Sequence, residues 1–288
     1  MQSQLLEELS HQHRQGRAGI VSQVADQAAR GDIGAGLMQD MTGALHLDVG
    51  PGNLNVLGDR AGTASGEAKL LMKGSLHTDE LMAAVVASAS GLRTERRISH
   101  AYVMDVPGHT KPLIITDAAI NIAPSLEEKA DIVRNAIDLA HVIGIATPKV
   151  AILAAVETVN PAMRATLEAA ALCKMAERGQ ISGGLLDGPL AFDNAVSAAA
   201  AQEKGIVSPV AGDADILLAP DLEAGNMLAK QLTFLGGADA AGIVLGARVP
   251  IILTSRADSL RTRLASCAVA VLLTRAVTKA APGVAEVG

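Results

Sequence analysis

Short apolar runs alternate with segments of helical periodicity along most of the chain after residue 69. Buried strands are predicted at 70–72, 99–105, 113–116, 150–156, 183–186, 216–219, 241–245 and 251–253. Helices are predicted at 77–87, from the capping box at Ser125 to Gly144, and at 161–178, 189–204, 222–235 and 260–273. This alternation predicts a largely parallel sheet with helices on its faces, and the turn before residue 113 indicates a hairpin.

Residues 1–66 do not continue this pattern. The stretch from Gly31 to Gly66 is rich in Gly, Asp and Asn, and no firm strand is predicted in it. A structureless stretch of that length is unusual inside a compact domain. We therefore expect an atypical N-terminal segment that is disordered or divergent, or that folds on a partner.

Composition narrows the functional classes. The chain has 288 residues, of which 49% are hydrophobic and 19% charged, as in globular proteins. Aromatic residues make up 1%, too few for the stacking platforms that bind single-stranded nucleic acid, and the net charge of −6 argues against an anionic-membrane surface. The longest apolar run, 268–273, is far shorter than the roughly 20 residues of a membrane span. With no signal peptide recognised, a cytoplasmic location is expected.

The apolar run 251–253 ends in a polar corner that contains Ser255, Arg256 and Asp258, and a helix follows at Leu260. Such a corner of an open α/β sheet is a common ligand site, and the free N–H groups of the helix favour an anion. Alternatively, Ser255 or Asp258 only caps the helix and Arg256 is a structural cation. The residues alone leave both interpretations open.

Polar residues also follow four other predicted strands. Because the carboxyl ends of parallel strands share one edge, we expect these groups and the corner at Ser255 to line one cleft, although helix capping explains part of the set. Asp187 is expected to follow its strand and to precede a glycine that lets backbone approach a ligand. His100 and His109 are expected near turns and are given no part in the mechanism. The candidates are Lys73, Asp117, Asn121, Asp187, Asn194, Asp221, Gly225 and Asn226.

Five spaced motifs occur in the order in which one enzyme family carries them. They lie at 117–121, 155–161, 187–193, 220–226 and 253–256. Over residues 70–273 the chain resembles the phosphate acetyltransferase/phosphate butyryltransferase family. The likeness is closest to the transferase half of bacterial proteins that join an enoyl-CoA hydratase to a phosphate acetyltransferase. P-loop, dinucleotide-binding and nucleophile-elbow motifs are not found.

The resemblance implies two α/β domains with a cleft between them, like the isocitrate and isopropylmalate dehydrogenase fold, in a homodimer. The first domain would comprise 67–115 and 255–288, and the second 116–254. The implied reaction is acyl-CoA + phosphate ⇌ acyl phosphate + CoA. Acetyl is the first expected acyl group and butyryl the alternative. Coenzyme A is a substrate, and no cofactor or metal is expected.

Site residues also follow from the resemblance. Ser255 would hydrogen-bond the CoA thiol or the developing oxyanion, Arg256 would hold phosphate, and Asp258 is the candidate base for the thiol. The expected substrate-binding residues are Lys73, Asp117, Asn121, Asp187, Asn194, Gly225 and Asn226.

The chain departs from the acetyltransferases at two positions. They carry an aspartate near the position of Thr262 and a phosphate-binding arginine where this chain has Ala83, whereas Ser-Arg-Ala-Asp-Ser at 255–259 is typical of the butyryltransferases. The start of the chain does not resemble the family's opening segments. Two alternatives therefore stay open: a catalytically impaired paralogue that binds CoA, and a metal-dependent dehydrogenase that uses Asp117, Asp187 and Asp221.

Overall fold

A computed structural model describes residues 44–47, 69–73, 77–255 and 258–280. Within these ranges, nine strands form one sheet in the order β1-β2-β9-β8-β3-β4-β7-β5-β6. The strands are β1 (Ala44–Leu47), β2 (Leu70–Lys73), β3 (Ser99–Asp105), β4 (Leu113–Thr116), β5 (Lys149–Leu153), β6 (Leu185–Leu190), β7 (Ile216–Leu218), β8 (Asp239–Leu245) and β9 (Ile251–Ile252).

Helices connect most of these strands. They are α1 (Thr78–Val86), α2 (Leu126–Val142), α3 (Arg164–Glu177), α4 (Phe192–Val196), α5 (Ala198–Glu203), α6 (Leu222–Phe234) and α7 (Leu260–Ala280), with a 3₁₀ turn at Ser88–Ser90. Helix α2 begins at the predicted capping box, in which the Ser125 hydroxyl accepts from the Glu128 N–H and the Glu128 carboxylate accepts from the Ser125 N–H. In the described part of the chain, no helix combines the length and the apolar character that crossing a membrane requires.

The sheet contains two parallel blocks that run in opposite directions. Strands β1, β2 and β9 are parallel, and so are β4, β7, β5 and β6. Between the blocks, β9, β8, β3 and β4 are joined by three antiparallel pairings. Three reversals leave β9 antiparallel to β4, so the two blocks have their carboxyl ends at opposite edges of the sheet.

The predicted α/β class, the largely parallel sheet and the β3–β4 hairpin are confirmed. Three local expectations are wrong. A strand, β1, does form before residue 67 and pairs with β2. The helix predicted at 189–204 is two short helices that meet at Ser197. The segment from Gly188 to Leu190 belongs to β6, which as an outer strand tolerates Pro189. Residues 1–43 and 48–66 lie outside the described residues, and the proposed domain boundaries stay a prediction.

The two faces of the sheet are packed differently. Helices α2, α3 and α7 cover the back face with one continuous apolar cluster that reaches from Leu70 on β2 to Ile152 on β5. The front face carries two separate clusters. One contains Met104 and Leu217, and the other contains Leu71, Leu253 and residues of α1. The boundary between these two clusters falls at the middle of the sheet, over β3 and β8.

Helices α2 and α3 are joined by a buried ion pair. Lys129 Nζ lies 2.6 Å from Glu168 Oε2, and Arg164 donates to the other carboxylate oxygen. Burial alone would raise the pKa of Glu168, but the hydrogen bonds from Lys129 and Arg164 outweigh it and lower that pKa below its ordinary value of 4.5. Glu168 therefore stabilises the fold above that pH, and the contribution is lost as the pH falls through the lower folded-state pKa.

Glu168→Gln is expected to lower the free energy of unfolding at pH 7 by about 2 kcal/mol, because the buried Lys129 charge loses its counter-ion while the amide still accepts its hydrogen bond. The difference between variant and wild type should shrink as the pH falls below the folded-state pKa. Urea unfolding at a series of pH values measures both effects. A difference that stays constant with pH would contradict the ion pair as its cause.

Candidate functional site

Two polar side chains, His100 and Tyr102, lie at the boundary between the two front-face clusters and form a polar floor there. His100 and Tyr102 alternate along β3 with the back-face residues Ala101 and Val103, so both side chains lie on the front face. Their rings meet edge to face with centroids 4.5 Å apart. On the neighbouring strand, a Cβ at Gly242 would stand 3.2 Å from His100 Nε2 and 2.8 Å from the Leu253 carbonyl oxygen. Glycine therefore lets the His100 ring and the end of β9 approach each other.

The corner at Ser255 faces this floor. The Asp258 carboxylate accepts a hydrogen bond from the Ser255 N–H at 2.6 Å, and the Asp258 N–H donates to the Ser255 carbonyl oxygen at 3.2 Å. Burial and, next, the Asp258 carboxylate raise the pKa of Tyr102 to about 12. Ser259 Oγ accepts from the Thr262 N–H as a helix-capping residue does, so Ser259, and not Ser255, fills that role. Ser255 itself is exposed.

Lys73 lies at the same edge of the sheet as the Ser255 corner, on the side where β2 and β9 end. Strands β2 and β9 are parallel with Met72 opposite Ile252, so both chains leave the sheet at the same edge. Lys73 is buried and lies on the front face, because it alternates with the back-face residue Met72. The structure therefore brings Lys73, Ser255 and Asp258 to one edge. Arg256 lies outside the described residues, and its role stays a prediction.

Asp117 organises the loop that follows β4. Its carboxylate accepts four hydrogen bonds, from the His100 N–H at 3.1 Å, Asn121 Nδ2 at 2.5 Å, and the N–H groups of Ala119 and Ile120 at 2.8 and 2.9 Å. Asn121 also donates to the Ile98 carbonyl at 2.9 Å. Both side chains are 2% exposed, and these bonds point into the protein. These hydrogen bonds hold the loop in its observed conformation.

Gly225 and Asn226 fix the same loop against α6. A Cβ at Gly225 would stand 2.2 Å from the Asp117 carbonyl oxygen, so only glycine permits the contact. Asn226 Nδ2 donates to the Ala118 carbonyl oxygen at 2.9 Å, and Asp221 caps the helix by accepting from the Ala224 N–H. The motif at 220–226 thus docks α6 on the Asp117 loop.

The expectation that five strand ends share one edge is wrong. The ends of β4, β5, β6 and β7 share an edge, but β9 runs the other way because three antiparallel pairings separate it from β4. Strand β6 is six strand spacings from β9, or about 29 Å. Ser255 therefore lies at the edge of the sheet that it shares with Lys73, and not at the edge near Asp187.

Asp187 and Asn194 lie in the β5–β6 region. Asp187 is inside β6 and accepts from the Gly188 N–H, so the expectation that it follows the strand is wrong. A Cβ at Gly188 would stand 2.8 Å from Ile152 Cβ, so that glycine serves strand packing. Asn194 is fully buried and donates to Glu157 at 3.4 Å. Their part in substrate binding stays a prediction.

His100 was given no role from the sequence, and the expectation that it lies near a turn is wrong because it lies inside β3. Its ring is fully buried, Nδ1 has no hydrogen-bond partner within the described residues, and Nε2 lies near the Leu253 carbonyl oxygen without a regular hydrogen bond. Burial lowers the pKa of His100 to about 4, although the Asp117 carboxylate and the Leu253 carbonyl oppose the shift, so the ring is neutral at pH 7. The available signal was a histidine that alternates with the apolar residues Ala101 and Val103 of the strand.

The aspartates required by the dehydrogenase alternative do not cluster. Each carboxylate accepts a hydrogen bond from a nearby backbone N–H group: Asp117 in its own loop, Asp187 in its strand, and Asp221 at the start of α6. Among the residues that the structure describes, no group of three His, Cys, Asp or Glu side chains could hold a metal ion.

Comparison with known sequences decides the family. The profile of the family Phosphate acetyl/butaryl transferase matches residues 60–271, which is well over half of the chain. The chain belongs to this family.

Individual relatives of this transferase-family chain agree with the match. A phosphate acetyltransferase of Rhizobium meliloti is 74% identical over 72% of this chain and 66% of its own length. A probable phosphate butyryltransferase of Bacillus subtilis is 52% identical over 71% of this chain and 68% of its own. The crystal structure of a branched-chain phosphotransacylase from Enterococcus faecalis superposes with a TM-score of 0.68 at 34% identity, covering 75% of this chain and 77% of the other. The chain spans 58 to 66% of the length of the first curated relatives that it matches.

Proposed function

We propose that the chain transfers an acyl group between coenzyme A and phosphate, with the reaction at the Ser255 corner over the cleft floor. The observation that supports the proposal is that the sheet brings the buried Lys73 to the same edge as Ser255 and Asp258. The family match and the relative named phosphate acetyltransferase support the same reaction.

Acyl transfer to phosphate requires a binding site for the phosphate anion, a hydrogen-bond donor for the sulfur or the oxyanion, and a route for one proton. A phosphate oxygen attacks the thioester carbonyl carbon, the C–S bond breaks, and the proton of hydrogen phosphate passes to the CoA sulfur. Arg256 holds phosphate by parallel hydrogen bonds, and the Ser255 hydroxyl donates to the sulfur or to the oxyanion. Asp258 is the proposed base for the thiol in the reverse direction, although one of its oxygens accepts from the Ser255 N–H. No cofactor takes part.

Acetyl is the proposed acyl group, because the 74% identical relative carries the name phosphate acetyltransferase. Butyryl is the alternative, since the Bacillus subtilis relative is named a probable butyryltransferase. We also propose a homodimer in the cytoplasm. The exposed apolar side chains Met227 and Phe234 of α6, with Leu235 directly after the helix, offer a surface that a second copy would cover. Light scattering of the purified chain would measure its molar mass.

A thiol-release assay with phosphate and acyl-CoAs of increasing chain length tests the reaction. We expect phosphate-dependent release of CoA, fastest with acetyl-CoA and unaffected by a metal chelator. Faster release from butyryl-CoA would favour the alternative acyl group. Thermal stabilisation by CoA without turnover would overturn catalysis and leave the CoA-binding paralogue.

A further inference from the structure

A pocket of about 280 Å³ opens on the back face of the sheet, beside the connection from β8 to β9. Its apolar walls include Leu139 of α2, Leu245 of β8 and Leu273 of α7, which belong to the back-face cluster. Lys73 and the polar floor lie on the front face, so this back-face pocket is separate from the proposed acyl-transfer site. A cavity of about 150 Å³ holds benzene, and the back-face pocket can therefore take an organic molecule of roughly ten non-hydrogen atoms.

Hydrogen bonds fix the polar side of the back-face pocket in place. Thr94 Oγ1 donates to the Gly246 carbonyl oxygen at 2.6 Å. Asn135 Nδ2 donates to the Arg97 carbonyl oxygen at 2.8 Å and to Ser99 Oγ at 2.9 Å. Gly246 has a φ of +82°, and a Cβ there would stand 2.9 Å from Asn135 Nδ2, so glycine lets the connection close over Asn135. The pocket is therefore preformed, as ligand pockets usually are.

Asn135 has one polar atom left for a ligand. Its side chain lines the back-face pocket and is only 5% exposed. The amide nitrogen is used by Arg97 and Ser99, whereas Oδ1 has no hydrogen-bond partner in the described part of the chain. Oδ1 is not fully covered either, so it is open to the pocket. Since buried polar groups almost always have a partner, we expect a ligand that donates a hydrogen bond to this oxygen.

The back-face pocket also carries a positive charge. Arg96 and Asp138 line it and pair with each other, with Arg96 Nη1 2.9 Å from Asp138 Oδ2. Arg248 lines it as well and is exposed, and its guanidinium makes no ion pair within the described ranges. Because the Arg96–Asp138 pair is neutral, Arg248 leaves one positive charge at the pocket. A guanidinium binds a carboxylate through two parallel hydrogen bonds.

We propose that the back-face pocket binds a small aliphatic carboxylic acid that carries a hydroxyl or amino group beside its carboxylate. The carboxylate binds Arg248, the hydroxyl or amino group donates to Asn135 Oδ1, and the hydrocarbon chain packs against the leucine walls. The inference does not rest on the proposed function, because binding is measured in the absence of CoA and phosphate.

Titration calorimetry with four matched compounds tests each contact. Leucic acid and free leucine carry both polar groups, isocaproate lacks the donor, and leucinol lacks the carboxylate. We expect leucic acid or leucine to bind, and isocaproate and leucinol to bind at least about 10-fold more weakly, because each loses a hydrogen bond to a buried or charged group. Binding of only one of the two acids would identify the donor as a hydroxyl or an amino group. Equal affinity for all four compounds, or binding of none at millimolar concentration, would overturn the proposal.

Arg248→Gln tests the carboxylate contact on the protein side. The variant keeps an exposed polar side chain and should leave the urea midpoint unchanged. We expect about 10-fold weaker binding of the tighter of the two acids and unchanged binding of leucinol, because only a carboxylate contacts the guanidinium. Arg178→Gln is the matched control, since Arg178 is exposed at the end of α3 and does not line the pocket. Wild-type affinity for the acid in Arg248→Gln, or an equal loss for leucinol, would overturn the assignment of the carboxylate to Arg248.

Discussion

Replacing Asp117 with alanine is expected to lower the free energy of unfolding by about 4 kcal/mol. The substitution leaves four donors without their acceptor: the N–H groups of His100, Ala119 and Ile120, and the Asn121 side chain. All four lie where water has little access, since Asp117 itself is 2% exposed. The shift of the urea midpoint at constant slope measures the loss.

A graded series separates the hydrogen bonds from the side chain's bulk. Asp117→Asn should cost about half as much, because Oδ1 still accepts from two N–H groups while the new amide nitrogen opposes two donors. Asp138→Ala is the matched control, since Asp138 pairs with Arg96 on the surface and should cost less than about 1 kcal/mol. Equal losses in Asp117→Ala and Asp138→Ala would mean that the loop does not depend on the carboxylate.

The Asp117 loop also shows how a binding motif and a folding motif can look alike in sequence. Both place Asp, Asn and Gly at strand ends, because those residues accept backbone N–H groups and permit close backbone contacts. In the structure, Asp117 and Asn121 shape the loop, Gly225 and Asn226 dock α6 on it, and the part of all four in substrate binding stays a prediction. Periodicity predicted most of the elements, but it carries no information on whether a carboxylate faces inward.

Strand direction was a different kind of error, and the sequence did contain the signal. Only residues 246–250 separate β8 from β9, whereas parallel neighbours require a crossover of a dozen or more residues. The short connection therefore requires an antiparallel pair, which reverses β9 relative to its predecessors. The strand β1 could not be predicted in this way, because its four residues lie in a segment without a hydrophobic period and, among the described strands, pair with β2 alone.

The consequence for the proposed site is that its candidate residues are concentrated at one edge of the sheet. Lys73, Ser255 and Asp258 come from the block containing β2 and β9, and the polar floor comes from β3. Strand β3 is also where the Asp117 loop is anchored, through the His100 N–H. Substitutions in the Asp117 loop should therefore affect the position of the proposed site residues through β3, although the loop and the Ser255 corner lie at opposite edges of the sheet.

Arg256→Ala is expected to lower kcat/KM for phosphate by about 1,000-fold while KM for acyl-CoA changes little. The guanidinium is the proposed holder of phosphate, whose charge must be positioned and neutralised for attack on the thioester. Arg256→Lys should be intermediate, because an ammonium keeps the charge but loses the two parallel hydrogen bonds. Arg263→Ala is the matched control, as Arg263 is an exposed arginine of α7. Wild-type kinetics in Arg256→Ala would mean that another cation holds phosphate, and Lys73, on the same edge as Ser255, would be the next residue to replace.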